Sequence, residues 1–167
     1  MSLAKLTIVI PTFYPGKIIK KCFASLPLKS EIIIIDNGED PELEKIIELQ
    51  KQKIKHYKVG DIGLSKSFNI ALKKSKNENI LITQPDVCFE TDSIINLLKA
   101  QKKYSKAGII SPLLFEKKKY SQYDYLDLSL SKLGMLENKR RPKKVSIFPS
   151  GDICVEAVNA TAMLIKK

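Results

Sequence analysis

Histidine and cysteine are scarce in this sequence. Its one histidine, His56, leaves no second imidazole, which argues against a His-based metal site and a complete Ser-His-Asp triad. The three cysteines, Cys22, Cys88 and Cys154, are odd in number and far apart. They argue against a disulfide framework and have no zinc-ligand spacing. The longest apolar runs, Leu6–Ile10 and Ile32–Ile35, are strand-sized, far short of the roughly 20 residues that span a bilayer. No secretory leader is expected, because strand-like sequence begins at Leu6. These absences predict a reduced, cytoplasmic protein. Neither G-x-G-x-x-G nor G-x-x-x-x-G-K-[ST] occurs, so a dinucleotide fingerprint and a P-loop are both excluded. Arginine is nearly missing too: lysine outnumbers it 27 to 2, which argues against a dedicated nucleic-acid reader.

What is present is globular. The chain has 167 residues, 44% apolar and 28% charged, with 7 Gly and 8 Pro. That suffices for one domain with a real core. The net charge of +11 is unevenly spread. Residues 1–100 hold 15 basic and 12 acidic groups, and residues 101–167 hold 14 and 6. Nucleic-acid binding driven by this surplus is disfavoured, because lysines spread over helix faces are more simply solvated surface.

Two patterns alternate over the first hundred residues. Leu6–Ile10 is apolar and β-branched and stops at Pro11, as suits an interior parallel strand. Ile18, Ile19, Cys22, Phe23 and Leu26 form one helical face, closed by Pro27. Ile32–Ile35 is a second buried strand, ended by the turn signal Asp36-Asn37-Gly38. Asp40 is an expected N-cap, with Pro41 at the first helical position and Leu43, Ile46 and Ile47 as the apolar stripe. Ile54–Val59 mixes lysine with apolar residues, as an edge strand does. Leu64, Phe68, Ala71 and Leu72 mark a third helix, and Ile80–Thr83 a fourth strand. Thr91 is expected to cap a fourth helix, before a strand at Gly108–Ile110 halted by Pro112. The order β-α-β-α-β-α-β-α-β predicts a mostly parallel sheet with helices on both faces. The rhythm breaks after Phe115 in a lysine-rich excursion over 116–144. Strands are expected again at Val145–Phe148 and Ile153–Ile165.

Ligands of open parallel sheets bind beyond the carboxyl ends of the strands. Here those ends read Pro11-Thr12-Phe13-Tyr14, Asp36-Asn37-Gly38, Gly60-Asp61-Ile62-Gly63 and Thr83-Gln84-Pro85-Asp86. Each is explicable alone as a turn or helix start, and their coincidence at one edge favours function. A lone carboxylate at a strand end can hold Mg²⁺ with water and phosphate as the other ligands. Asp36 offers an acceptor to a base N–H. Gly63, opening a helix, offers backbone N–H groups to an anion. The parts suit a nucleoside diphosphate.

These residues resemble the family 2 glycosyltransferases of the GT-A fold. Leu6–Tyr14 is similar to that family's opening "(V/I)SIIIPTYN", Ile32–Gly38 to "IIVVDNGS", and Asp61–Asn69 to "N-x-G-x-a-x-a-x-N". Ile80–Val87 is similar to "ILFLNPDV", and Val155–Leu164 to "V-x-x-V-x-G-A-A-M-L". The five stand in the family's order over nearly the whole chain. The resemblance implies a GT-A-like Rossmann-type α/β fold, with a nucleotide-binding half over 1–111 and a partial acceptor-side region over 112–167. It implies an inverting, metal-assisted transfer from a nucleotide-diphosphate sugar to a glycan or lipid-linked acceptor. By position, Pro11, Thr12, Phe13, Asp36, Gly63, Lys66, Asn69, Gln84 and Asp86 would bind the nucleotide sugar, Asp36 through the base. Asp86 would hold Mg²⁺ or Mn²⁺, and Asn159, Ala160 and Thr161 would face the acceptor.

There are departures. Glu39 stands where the family has Ser, Asp61 replaces Asn, Gln84-Pro85-Asp86 has one acidic residue, and Asn159-Ala160 lacks the usual Gly. The family's general base lies downstream of the last matched segment, so no catalytic residue is assigned within 1–167. Donor binding without efficient transfer is the expectation. Apolar surface around Val155–Ile165 is expected to be exposed or covered in a homodimer. The basic stretches 117–119 and 139–144 suggest peripheral contact with an anionic membrane. The rivals are a non-catalytic nucleotide-sugar-binding module and a sugar-phosphate nucleotidyltransferase. The second would want a Gly- and Arg/Lys-rich first loop, which Pro11–Gly16 is not.

Overall fold

Strand β1 (Leu6–Thr12) is buried along its whole length. It continues through Pro11, which the sequence suggested would end it: Pro11 pairs with Ile35 and Thr12 with Asp36. The Thr12 carbonyl accepts from Asn37 N on the side of β2 (Glu31–Asp36). Backbone groups alternate along a strand, so Pro11 turns its missing N–H toward β4 (Asn79–Thr83), whose pairing with β1 has already ended at Val9. The computed structural model describes residues 3–115, 128–130, 136–138 and 151–167.

Four strands pair in parallel. β1 is flanked by β2 (Glu31–Asp36) and β4 (Asn79–Thr83), and β3 (Ile54–Lys58) pairs with β2 at one edge. Two further strands complete the sheet: β5 (Ile109–Ile110) at the other edge and β8 (Ala162–Lys166), antiparallel to both β4 and β5. The order is β3-β2-β1-β4-β8-β5. The sheet is therefore mixed and mostly parallel, as the alternation predicted.

Helices cover both faces. α1 (Ile19–Ser25), α2 (Pro41–Glu48) and α4 (Ser93–Lys103) supply Phe23, Leu43 and Leu97 to one core, against Ile8, Ile10, Ile32 and Ile34. α3 (Leu64–Lys74) brings Ala71 and Phe68 to the other face, against Val9, Ile33, Ile35 and Ile82. The four consecutive isoleucines of β2 thus fill both cores, which is why that run does not alternate with polar residues.

Several local expectations change. Ile18 is exposed, because a 3-10 turn over Gly16–Ile18 precedes α1 and aims it outward. Asp92, not Thr91, occupies the cap position of α4, with φ 65° and no side-chain cap bond. Residues 153–161 form no continuous strand, and β8 starts at Ala162. Ala162 and Leu164 are buried, because β8 lies between β4 and β5 and not at an open edge. The Asp40 cap is as expected, its carboxylate accepting from Glu42 N at 2.9 Å.

The chain divides into two compact units. One holds residues up to Ile110 together with Ala160–Lys167, and the other runs Ser111–Asn159. In the second, β6 (Leu128–Leu130) and β7 (Leu136–Asn138) form an antiparallel pair. The expected strand at 145–148 and both basic stretches lie outside the described residues.

Candidate functional site

The chain leaves β1 toward β2 on one side and enters β4 on the other. The carboxyl ends of β1 and β4 therefore flank the point where strand order reverses, the usual ligand crevice of such sheets. Three loops at this edge are tied together. Asn37 Nδ2 donates to the Thr12 carbonyl at 3.2 Å and the Ile35 carbonyl at 3.3 Å. The Ser67 hydroxyl lies 3.1 Å from Asn37 Oδ1 and 2.9 Å from the Gly63 carbonyl. Thr12, Asn37, Ser67 and Gly63 thus join the ends of β1 and β2 to the start of α3.

Asp36 closes β2 and is wholly buried. Its Oδ1 accepts from Gly38 N at 3.1 Å and from the Thr12 hydroxyl at 3.4 Å. Its Oδ2 accepts from Asp40 N at 3.1 Å and faces His56 Nε2 at 3.1 Å. Four hydrogen-bond partners thus surround the carboxylate, two on each oxygen. A base N–H reaches it only by displacing one of them, the long Thr12 bond being the weakest.

Beside this buried knot the surface is open and aromatic. Phe13 and Tyr14 are 60% and 61% exposed, with ring centroids 5.0 Å apart in an edge-on pair. Pro11 and Thr12 are buried beneath them. Gly63, at φ 78°, caps α3 without any side-chain bond, and Leu64, Ser65 and Lys66 of its first turn are exposed. Free N–H groups, the positive end of the helix and a lysine therefore face solvent together, a favourable setting for an anion. Asn69 is exposed one turn further on.

On the β4 side, Gln84 is half-buried and Asp86 exposed in the turn after the strand. Gln84 N and the Thr83 hydroxyl both donate to the Thr161 carbonyl, at 3.1 and 3.3 Å. The turn entering β8, with Ala160 and Thr161, therefore lies beside Gln84. Asn159 belongs to the second unit. Cys22 Sγ lies 3.8 Å from the Gln84 carbonyl. Burial first, then the nearby Cys88 and Asp86, pushes its thiol up to about 12.

Among the described residues no group of three His, Cys, Asp or Glu side chains is placed to hold a metal. A cation held at Asp86 would find one hard carboxylate oxygen there and would need water and phosphate as its other ligands. That donor set fits Mg²⁺ or Mn²⁺ and not a closed zinc site. A separate cavity of about 300 Å³, between the end of α1 and the segment entering α4, is lined by none of the candidate residues. Sequence reasoning missed Asn37 and Ser67 as connectors and His56 as a partner of Asp36. Asn37 was visible only as a turn residue.

The glycosyl transferase family 2 model matches residues 7–158 of this chain. No curated protein matches it. Among solved structures, the chain is similar to mannosyltransferase PcManGT from Pyrobaculum calidifontis in complex with GDP-Man and Mn²⁺. That likeness has 17% identity and a TM-score of 0.58, covering 70% of this chain and 37% of that one. Similarity extends to S. aureus TarS 1–349 in complex with UDP-GlcNAc, at 18% identity and TM-score 0.51, over 63% of this chain and 33% of that one. S. aureus TarS itself aligns at 16% identity and TM-score 0.52, over 74% of this chain and 25% of that one. At these identities the shared property is the fold. The chain spans a quarter to somewhat over a third of the length of these proteins.

Proposed function

The chain belongs to glycosyl transferase family 2, and from that premise we propose that it binds a nucleotide-diphosphate sugar at the carboxyl edge of its sheet. The sugar would pass to a hydroxyl of a glycan or lipid-linked acceptor. One observation carries the reading: the Thr12–Asn37–Ser67–Gly63 ties hold an exposed aromatic pair and an open helix N-terminus together at the point where strand order reverses. The complexes of PcManGT with GDP-Man and Mn²⁺ and of TarS with UDP-GlcNAc support the same ligand class.

In this reading the nucleoside lies on Pro11, Thr12 and Phe13, with Asp36 shaping the loop beneath it. The diphosphate faces the first turn of α3, where backbone N–H groups of the Gly63 segment and the Lys66 ammonium offset its charge. Asn69 and Gln84 flank it. Asp86 is the residue that would hold Mg²⁺ or Mn²⁺. Such an ion, when bound, supplies charge compensation to the leaving diphosphate. Asn159, Ala160 and Thr161 are the proposed acceptor side. The transfer is an inverting displacement: the acceptor oxygen bonds to the anomeric carbon as the bond to the diphosphate breaks. No residue of this chain is assigned as the base that takes the acceptor proton.

A thermal-shift screen of nucleoside diphosphates and sugar nucleotides, with and without Mn²⁺, tests the donor reading. Stabilisation by at least one is expected, and none by any would overturn it. Calorimetry on the wild type and Asp86→Ala, each with Mn²⁺ and with a chelator, tests the cation. The wild type with Mn²⁺ should bind tightest, and equal affinity in all four conditions would remove Asp86 from the site.

A further inference from the structure

His56 is the chain's one histidine and lies mid-strand on β3, at the edge of the sheet. Its side chain is 16% exposed and its Nε2 stands 3.1 Å from Oδ2 of the fully buried Asp36. A carboxylate accepts and does not donate, so the contact is a hydrogen bond in the tautomer that carries the proton on Nε2. The other three donors to Asp36 come from Thr12 on β1 and from Gly38 and Asp40 in the loop after β2. His56 is the one donor from β3. That strand leads through residues 59–62 into Gly63 and the open first turn of α3. The backbone bond from Val59 N to the Asp36 carbonyl, at 3.0 Å, already joins the end of β2 to the chain leaving β3, and the His56 imidazole adds the side-chain link from β3 to the carboxylate beneath the nucleoside loop.

We propose that His56 is a positioning residue for the nucleotide. By donating to Asp36 it fixes the Asp36–Asp40 loop in register with the Gly63 segment, so that nucleoside and diphosphate contacts are met together. The inference rests on the donor reading above. It needs no contact between His56 and the ligand. Lys58, the next residue of β3 on this face, pairs with Glu44 of α2 and acts on Asp36 through its charge, with no hydrogen bond between them.

The test compares wild type, His56→Gln and His56→Leu. Glutamine places an amide N–H close to where Nε2–H stands; leucine fills space without a donor. Binding of uridine diphosphate and guanosine diphosphate, each with Mn²⁺, is measured by calorimetry, and the thermal midpoint of each variant is recorded. Wild type is expected to bind at least one probe, His56→Leu to bind it about tenfold or more weakly, and His56→Gln to recover most of the difference. A residue with a purely structural role would lower the thermal midpoint of His56→Leu and leave affinity unchanged; that result overturns the proposal. Equal weakening in both variants overturns it too, because the donor would then not be what matters. Absence of binding in the wild type overturns the donor reading itself and this inference with it. Should His56→Leu fail to fold, the wild-type imidazole decides. A ¹⁵N spectrum with the proton on Nε2 and an affinity retained in His56→Gln support the proposal; a proton on Nδ1 alone overturns it.

Discussion

A β-carbon at position 38 would lie 3.0 Å from two ring carbons and from the backbone nitrogen of Tyr14, tighter than nine in ten real β-carbon contacts. Gly38→Ala must therefore displace Tyr14 or the loop. Overpacking of this kind costs about 1–3 kcal/mol, so the variant should unfold at a lower temperature and bind nucleotide less tightly. An unchanged thermal midpoint would show that the loop yields freely. The cysteines differ in the same local way. Cys22 is buried with its thiol pushed up to about 12, while Cys88 and Cys154 are exposed. Folded protein titrated with a thiol reagent should show two fast thiols, the third reacting only on denaturation. Three fast thiols would contradict the burial. Asp36 was legible in sequence as a strand-end carboxylate. Its burial was not, because the donors that enclose it include Thr12 and His56, some twenty residues away on either side. A scarce residue counted as a missing metal ligand gave no sign of this role.

The strands and helices were legible to the extent that their cause is local. Apolar runs placed β1, β2 and β4, and the Asp40-Pro41 start placed α2. Pro11 misled because whether a proline ends a strand depends on which neighbour its nitrogen faces, and strand order is not written locally. β8 was legible as apolar but not as the antiparallel strand between β4 and β5, which is a matter of long-range pairing. At the amino edge of the sheet, a polar cluster joins three strands and the end of α3. The Thr7 hydroxyl donates to Glu31 at 2.6 Å, Ser75 donates to Thr7 at 2.8 Å, and Lys55 pairs with Glu31. Burial alone would raise the Glu31 carboxyl, but the hydrogen bonds from Lys55 and Thr7 and the Lys55 charge outweigh it, and it lies below its ordinary value. A carboxyl whose folded pKa is depressed contributes stability above its unfolded value and loses it as pH falls through the folded value. Wild type should therefore lose stability more steeply than Glu31→Gln as pH falls below the ordinary carboxylate value of about 4.3. Urea midpoints at a series of acid pH values read this directly. Parallel curves would mean that the Glu31 pair adds nothing pH-dependent.

At the scale of the molecule, the repeating strand-helix order predicted the parallel sheet, and the fold places its predicted strand ends on one edge. The two edges are chemically different. The carboxyl edge carries exposed aromatic rings, an open helix N-terminus and Asp86, whereas the amino edge is approached by the loops bearing the exposed Leu28 and Leu49. The central claim is that a nucleoside diphosphate and a divalent cation seat together on the carboxyl edge, between β1 and β4. Paramagnetic broadening tests it most directly: Mn²⁺ is titrated into ¹⁵N-labelled protein with saturating nucleoside diphosphate, and the amide signals are followed. The account predicts that the signals of Asp86, Gln84, Gly63, Lys66 and Phe13 broaden first, while those of Leu28 and Leu49 persist. Broadening that starts at Leu28 and Leu49, or that spares Asp86 and Gly63, would contradict it.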